Sequence, residues 1–564
     1  MDDVGLSRLD SIIILIYIVG IIWYGIRKGK QSNSEDYFLG GRSMTWPIVG
    51  ISLFAANIGS NTLIGLSSSA FQGNVAVYNY EWMAAVILVF FAIFFLPFYL
   101  RSKVYTMPEF LERRFDSRCR YLFSIIMIVG NIIIDMASGL YAGNLILKII
   151  FPEIDTWIII SLLALSAAAY TIPGGLSSAV HTEVLQALLL VAGSCLLTWF
   201  CFREVGGWEG MTSGLDALFA SGQTRLPADE VLSLVKPADH PQMPWTGLLL
   251  GVPLLGFYFW VNNQFIVQRV LSAKDLNHGR WGALFAGLLK LPVLFIMVIP
   301  GAVATVLYTD LDISFLGYQI PAATGGQTLC TSLHDCPNMT YPVLIYKLLP
   351  VGILGLVVAG ILAAMASSIS ATLNSASTLI TMDLVTKLRP DIGGKKLVRV
   401  GQINTLVLVI LAAAWAPQIE RFSSLWEYLQ SVLAYISPPI AAAFLVGLFY
   451  KRANARGAFA SLLLGYGISI AFLVVKTAGW APAITNIHFL LQVPALLVIC
   501  AAANIVISAT APAPAAEVVE HYTWKPALYH AETRELAALP WYQNYRVLSI
   551  GLLLVTAGIV VTFW

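Results

Sequence analysis

Apolar residues along this chain gather into long, nearly uninterrupted runs, without the short-period alternation of half-buried strands and helices. A helix needs about 20 consecutive apolar residues to cross the hydrocarbon of a bilayer. That measure predicts about fourteen spans, near residues 9–27, 45–72, 78–100, 121–150, 156–172, 178–202, 245–268, 279–308, 349–385, 400–418, 425–449, 456–477, 487–509 and 545–564. The expected fold class is an all-α integral membrane protein, one transmembrane domain over residues 1–564. The stretch from about 511 to 543 is polar and carries Pro512 and Pro514 early, so it reads as a cytoplasmic linker to the last span. The first run begins near Leu9 behind acidic residues and has no small-residue cleavage site. It therefore reads as a retained span and not as a signal peptide.

Basic residues orient the spans. Arg27, Lys28, Lys30 and Arg42 follow the first span, and Arg101, Lys103, Arg113, Arg114, Arg118 and Arg120 follow the third. Lys274 and Arg280 follow the seventh, Lys387, Arg389, Lys395, Lys396 and Arg399 the ninth, and Lys451, Arg452 and Arg456 the eleventh. Cytoplasmic loops are the lysine- and arginine-rich ones. The expectation is a multi-pass protein of the cell membrane with both termini outside.

Composition agrees with the class. The chain is 58% hydrophobic and 11% charged, with a mean hydropathy of +0.77, whereas soluble domains are about 25% charged. A net charge of +2 without any long basic block points away from a nucleic-acid partner. No HExxH or GxSxG motif and no histidine cluster suggests an enzyme. Six cysteines lack metal-binding spacing. Only Cys330 and Cys336 share a polar loop, on the outside, where a disulfide persists; two unpaired thiols are the alternative. Asn338-Met339-Thr340 in that loop is a glycosylation sequon.

Four ionisable residues fall where lipid should be: Glu81, Asp135, Glu183 and Lys290. Such groups are costly at membrane depth and mark pathways or sites. Glu81 and Glu183 lie at span starts, so interfacial placement is their alternative. About ten apolar residues flank Lys290 on each side, which favours the bundle interior. The stretch SLFAANIGSNTLIG interrupts the second span with Asn57, Gly59, Ser60 and Asn61, poor helix chemistry that predicts a break. Irregular backbone is tolerated at that depth only where it lines protein or a cavity. Its freed carbonyls can then coordinate a cation. Ala364, Ser367 and Ser368 fall at i, i+3 and i+4, on one helical face. Two hydroxyls plus backbone carbonyls form an uncharged oxygen cage suited to a monovalent ion, since divalent ions prefer carboxylates. Close helix packing by small residues, with the serines bonded back to the i−4 carbonyls, is the alternative; the broken second span favours the ion.

These residues sit in stretches that resemble the sodium:solute symporters, and within them the sodium/glucose cotransporter branch, along nearly the full length. The stretches are EDYFLGGRSM from Glu35, SLFAANIGS from Ser52, YTMPEFLERRF from Tyr105, GGLSSAVHTEVLQ from Gly174, FWVNNQFIVQRVLSAKDLNH from Phe259, SSISATLNSASTLITMD from Ser367 and SPPIAAAFLVGLFYKR from Ser437. The resemblance implies a LeuT-like core of two inverted five-helix repeats with broken helices, about 45–202 and 245–449. The peripheral helices would be 9–27, 456–477, 487–509 and 545–564. It implies sodium-driven alternating access, with sodium as the coupling ion, a sugar or cyclic polyol as solute, and membrane lipid but no obligate protein as partner.

By position, the resemblance assigns a sodium site to Ala55, Ile58, Ala364, Ser367 and Ser368. It assigns a sugar pocket to Asn57, Glu81, Trp260, Lys290 and Gln430. Thr62 stands where the branch has His or Gln against the sugar, and Phe259 replaces the tyrosine of the inner gate. Gly256 replaces a polar pocket residue. Glu183 replaces an aspartate that some members associate with a second cation, with Ser370 as its companion candidate. Asp135 is turned toward the same pocket, either as a partner of Lys290 or as a contact to a more polar solute. These departures leave the hexose open and keep a non-sugar solute, a carboxylate or an amine, as the alternative. A passive facilitator is a further alternative, disfavoured because it needs no ion cage.

Overall fold

The computed structural model describes residues 6–29, 34–151, 153–321, 327–421 and 425–564; Lys30 of the first basic loop lies outside them. Among the described residues, eleven helices are long and apolar enough to span a membrane. Two bent pairs add two more: Trp46–Asn57 with Ser60–Phe71, bent by 59°, and Leu276–Lys290 with Leu294–Tyr308, bent by 43°. One of the eleven, Thr156–Val205, runs 50 residues. At about 1.5 Å per residue that is more than twice the bilayer core. It is a hairpin: Gly175 is non-helical at φ 55°, ψ −150°. The Gln186 amide reaches the Tyr170 hydroxyl at 3.4 Å across 16 positions of sequence. A Cβ at Gly175 would sit 2.5 Å from the Tyr37 carbonyl, so the turn requires glycine there. Dividing this hairpin brings the spans to fourteen.

Burial separates centre from rim. Over one 18-residue apolar stretch of each helix, Ile353–Leu388 is 83% buried inside the protein, against 17% for Arg8–Lys28, 28% for Phe489–Thr510 and 22% for Tyr545–Thr562. The central helix Ile353–Thr378 is the one crowded with alanine, serine and threonine. Those small side chains let it pack along both arms of the Thr156–Val205 hairpin; a Cβ at Gly360 would already lie 3.1 Å from the Leu189 carbonyl. Its amino end is capped from another helix. Asp10 Oδ1 accepts from the backbone amides of Gly352 at 2.8 Å and Gly355 at 2.7 Å, which satisfies donors that a helix start leaves free.

A second span is broken. Trp245–Leu250 and Val252–Phe257 lead into a π-helical turn, Tyr258–Asn262, and helix resumes only at Gln264. Asn263 is extended (φ −71°, ψ 124°), and its side chain accepts from the Phe265 amide. The hydrophobic pattern predicts a span over 245–268 and places no break in it. Neither glycine nor proline marks the break, and a short polar pair, Asn262-Asn263, is its only signal. The loop before the central helix holds a two-stranded ribbon, Gln319–Pro321 with Gln327–Leu329, and Cys330 is bonded to Cys336, with Cα atoms 6.2 Å apart.

Candidate functional site

The first site forms where the broken span meets the central helix. Helix Trp46–Asn57 stops because Ile58 (φ −98°, ψ 88°) and Gly59 (φ −95°, ψ 178°) leave helical geometry before Ser60 restarts it. Ser368 is pressed onto this break: a Cβ on Gly59 would be 2.6 Å from Ser368 Oγ. Ser367 Oγ donates to the Ala55 carbonyl at 3.2 Å. Ser368 Oγ donates to the Ala364 carbonyl at 3.1 Å and lies 3.5 Å from that of Ala56. Of the five residues assigned to sodium, four are thus in direct contact, and Ile58 is the turning residue itself. Ala56 joins them from the structure. All the donor atoms are neutral oxygens, and each hydroxyl can rotate to turn a lone pair toward a cation.

The second site adjoins the first. A cavity lined by Ala56, Asn57, Thr62, Glu81, Asp135 and Gly256, and farther round by Phe259, Trp260, Ser368 and Gln430, lies beside the break. The cavity volume is about 100 Å³, several times the roughly 10–15 Å³ that one water needs. Ser368 belongs to both sites. Lys290 stands behind the wall: its ammonium bonds Glu81 Oε2 and lies 5.7 Å from the centre of the Trp260 ring. The seven residues assigned to the solute are therefore together, six on the wall and Lys290 one contact behind it. Asn57 Oδ1 is shielded and has no protein partner among the described residues. Asn57 lines the cavity, so this acceptor is open to what enters it.

Both inner surfaces carry local irregularity. Asp135 and Ile134 lie in a π-helical turn, Asn131–Met136, and Phe259 and Trp260 lie in the turn Tyr258–Asn262. Such turns concentrate at functional sites because they re-aim side chains without ending a helix. Phe259 packs edge-on against Trp260 at 5.4 Å and Phe265 at 5.5 Å, an aromatic floor to the cavity. On the other side Tyr80 and Trp426 meet edge-to-face at 5.5 Å. With Gln430 they also line a wider cavity that includes Gln72, Gln242 and His488. The two cavities thus adjoin at Tyr80, Trp426 and Gln430.

Several expectations are corrected by contacts. Lys290 pairs with Glu81, not with Asp135. Glu81 is buried and paired, so it is no interfacial group. Glu183 is likewise buried: one carboxylate oxygen accepts from Arg269 at 2.5 Å and the other from Ser52. Ser370 accepts from the Thr171 hydroxyl at 2.7 Å. Glu183 thereby ties the first broken span, through Ser52, to the second, through Arg269.

Two residues of consequence went unread in the sequence, Arg269 and Asp383. Asp383 is fully buried and accepts from Arg120 at 2.6 Å, Thr106 at 2.7 Å and Ser124 at 2.8 Å. The signal that marked Lys290, a charge inside an apolar run, is present at Arg269 in QFIVQRVL and at Asp383 in STLITMD.

The chain matches the sodium:solute symporter family over residues 37–465. It is 33% identical over 488 residues to sodium/glucose cotransporter 1 of Oryctolagus cuniculus, covering 84% of this chain and 73% of that one. It is 33% identical over 544 residues to sodium/myo-inositol cotransporter 2 of Homo sapiens, covering 92% of this chain and 79% of that one. A solved structure of a Na+-coupled sialic acid symporter superimposes with a TM-score of 0.73 at 24% identity, over 90% of this chain and 99% of that chain; the likeness establishes a shared LeuT-like fold. The family match and the length of these alignments place this chain in the sodium:solute symporter family.

Proposed function

We propose that this symporter carries a sugar or cyclic polyol across the cell membrane together with sodium, by alternating access. The observation that carries the reading is that one residue, Ser368, belongs to both the oxygen cage at the helix break and the wall of the solute cavity. Sodium drawn to Ala55, Ala364, Ser367, Ser368 and the turn at Ile58 would hold the broken span against the central helix. That contact would set Asn57 and Thr62, one turn away, for the solute. Binding of either partner then favours the other, and the coupling is reciprocal.

The cavity chemistry supports a polyhydroxylated solute. Glu81, Asn57 and Gln430 offer acceptors, amide groups offer donors, and Trp260 offers an apolar face. The names of the relatives, glucose and myo-inositol cotransporters, support the same class. The proposal keeps two inverted repeats at about 45–202 and 245–449, four peripheral helices, and both termini outside by the distribution of lysine and arginine. The Tyr80, Trp426 and Gln430 junction then faces outward, and Phe259 with the Glu183–Arg269 pair closes the cytoplasmic side. The test is uptake of labelled glucose and labelled myo-inositol into proteoliposomes. An inward sodium gradient should concentrate one of them above the external level. Equal uptake with sodium or with choline would reduce the protein to a facilitator.

A further inference from the structure

The carboxylates buried among the described residues share one property, and a half-buried one lacks it. Asp10 accepts from Gly352 and Gly355, Glu81 from Lys290, Glu183 from Arg269 and Ser52, and Asp383 from Arg120, Thr106 and Ser124. Asp135 is the exception. Its backbone carbonyl accepts from Ser138 at 3.2 Å, but among the described residues no donor reaches its carboxylate and no cation pairs with it. Lys290, the cation nearest to this role, is held by Glu81.

Asp135 lies on the wall of the solute cavity, half-buried, on a π-helical turn. With Glu81 paired to Lys290, Asp135 is the one carboxyl on the cavity wall without a counter-charge among the described residues. A carboxylate out of bulk water is costly unless paired and hydrogen-bonded. When ionised it offers about four lone-pair sites on the wall of the cavity. A neutral hydroxyl supplies one donor and no charge. An ammonium supplies three donors and the missing charge. The aromatic walls fit the same group, because Trp260, Tyr80 and Trp426 present rings that attract cations. The sodium cage, by contrast, is built of neutral oxygens around Ser367 and Ser368.

We infer that the solute carries an amino group, as an amino sugar or amino cyclitol, and that Asp135 is the specificity residue that binds this group. The inference rests on sugar-or-polyol symport and narrows it. The experiment measures sodium-driven uptake in proteoliposomes. The competitors are D-glucosamine against D-glucose and an aminodeoxy-inositol against myo-inositol, with D-glucuronate as the anionic control. In the wild-type protein each amine should compete better than its neutral parent by roughly 10- to 100-fold, the worth of one charge-assisted hydrogen bond; glucuronate should compete least. In Asp135→Asn the amine-to-parent ratio should collapse toward one, and in Asp135→Glu it should recover in part. The ratio is internal to each variant and independent of expression. A wild-type ratio at or below one overturns the inference, as does a ratio that survives Asp135→Asn. An altered sodium half-saturation with an unchanged ratio overturns it too, assigning the carboxylate to the ion. The parent reading fails differently: no sugar, polyol or amine would be concentrated by a sodium gradient.

Discussion

Removing one member of the Lys290–Glu81 pair should hurt more than removing both. The two groups come from spans more than 200 positions apart, 209 in sequence, and join Nζ to Oε2 with side chains 0% and 5% exposed. Lys290→Met leaves a carboxylate, and Glu81→Gln an ammonium, at membrane depth without a counter-charge. Stranding one member of a buried pair destabilises by about 3–5 kcal/mol. Glu81→Gln with Lys290→Met leaves no charge at all, so its effect should fall well short of the sum. The shortfall should then exceed the cost of either single change, about 3–5 kcal/mol, at or beyond the top of the roughly 0.5–3 kcal/mol range seen for contacting residues. The Lys290 contribution over the Trp260 ring disappears in both arms of the cycle and cancels. The assay is thermal unfolding of the purified protein in lipid nanodiscs, without sodium or solute, so that ligand binding does not enter. A parallel cycle with Asp135→Asn and Lys290→Met should couple more weakly. Additivity within about 0.3–0.5 kcal/mol for Glu81 and Lys290 would refute the pairing, and stronger coupling to Asp135 would transfer it there.

Four further outcomes follow from contacts. Ser368→Ala removes a hydroxyl from the oxygen cage and should abolish sodium-driven accumulation; wild-type sodium dependence in this variant would dismiss the site. Gln430→Ala loses one neutral hydrogen bond to solute and should weaken apparent affinity roughly two- to twelvefold, read from the half-saturation of uptake. Asp10→Ala uncaps the central helix and should lower stability by about 0.5–2 kcal/mol, measured as a drop in unfolding midpoint. In the linker, burial raises the Glu532 carboxyl, but bonds from Tyr545, Arg280 and Arg546 outweigh it and hold the group below its ordinary 4.5. A depressed carboxyl stabilises above its unfolded value and loses that contribution as pH falls through the folded one. Hydrogen exchange in Pro526–Ala537 should therefore rise below about pH 4.5, and in Glu532→Gln it should be raised already at neutral pH.

Much of the architecture was written in the hydrophobic pattern, because a bilayer demands long apolar helices and little else. The fourteen spans and the break at Asn57–Ser60 were both legible: glycine beside asparagine and serine is unsuited to a helix interior. The break at Asn263 was not, because a π-helical turn followed by one extended residue leaves the hydrophobic run intact. The hairpin reversal at Gly175 falls between the runs 156–172 and 178–202, which the hydrophobic pattern already separated. The Ser367 and Ser368 face was legible from spacing alone; that it meets Ala55 and Ala56 depends on tertiary packing, which the resemblance supplied for Ala55 and the coordinates for Ala56. Ion-pair partners were the least legible. Glu81, Glu183, Asp135 and Lys290 could be picked out one by one, but pairing depends on which spans are neighbours. Lys290 goes to Glu81 because Leu276–Lys290 packs against Asn79–Phe90, a proximity that no local pattern encodes.

The most direct test of the account is the sodium dependence of solute accumulation by the purified protein. Proteoliposomes loaded with potassium buffer are diluted into sodium buffer containing labelled sugar or polyol, and the internal concentration is followed in time. Coupling predicts a transient rise above the external concentration that disappears when choline replaces sodium outside, when an ionophore collapses the gradient, and in Ser368→Ala. Uptake that only equilibrates, at the same level with and without a sodium gradient, would contradict it.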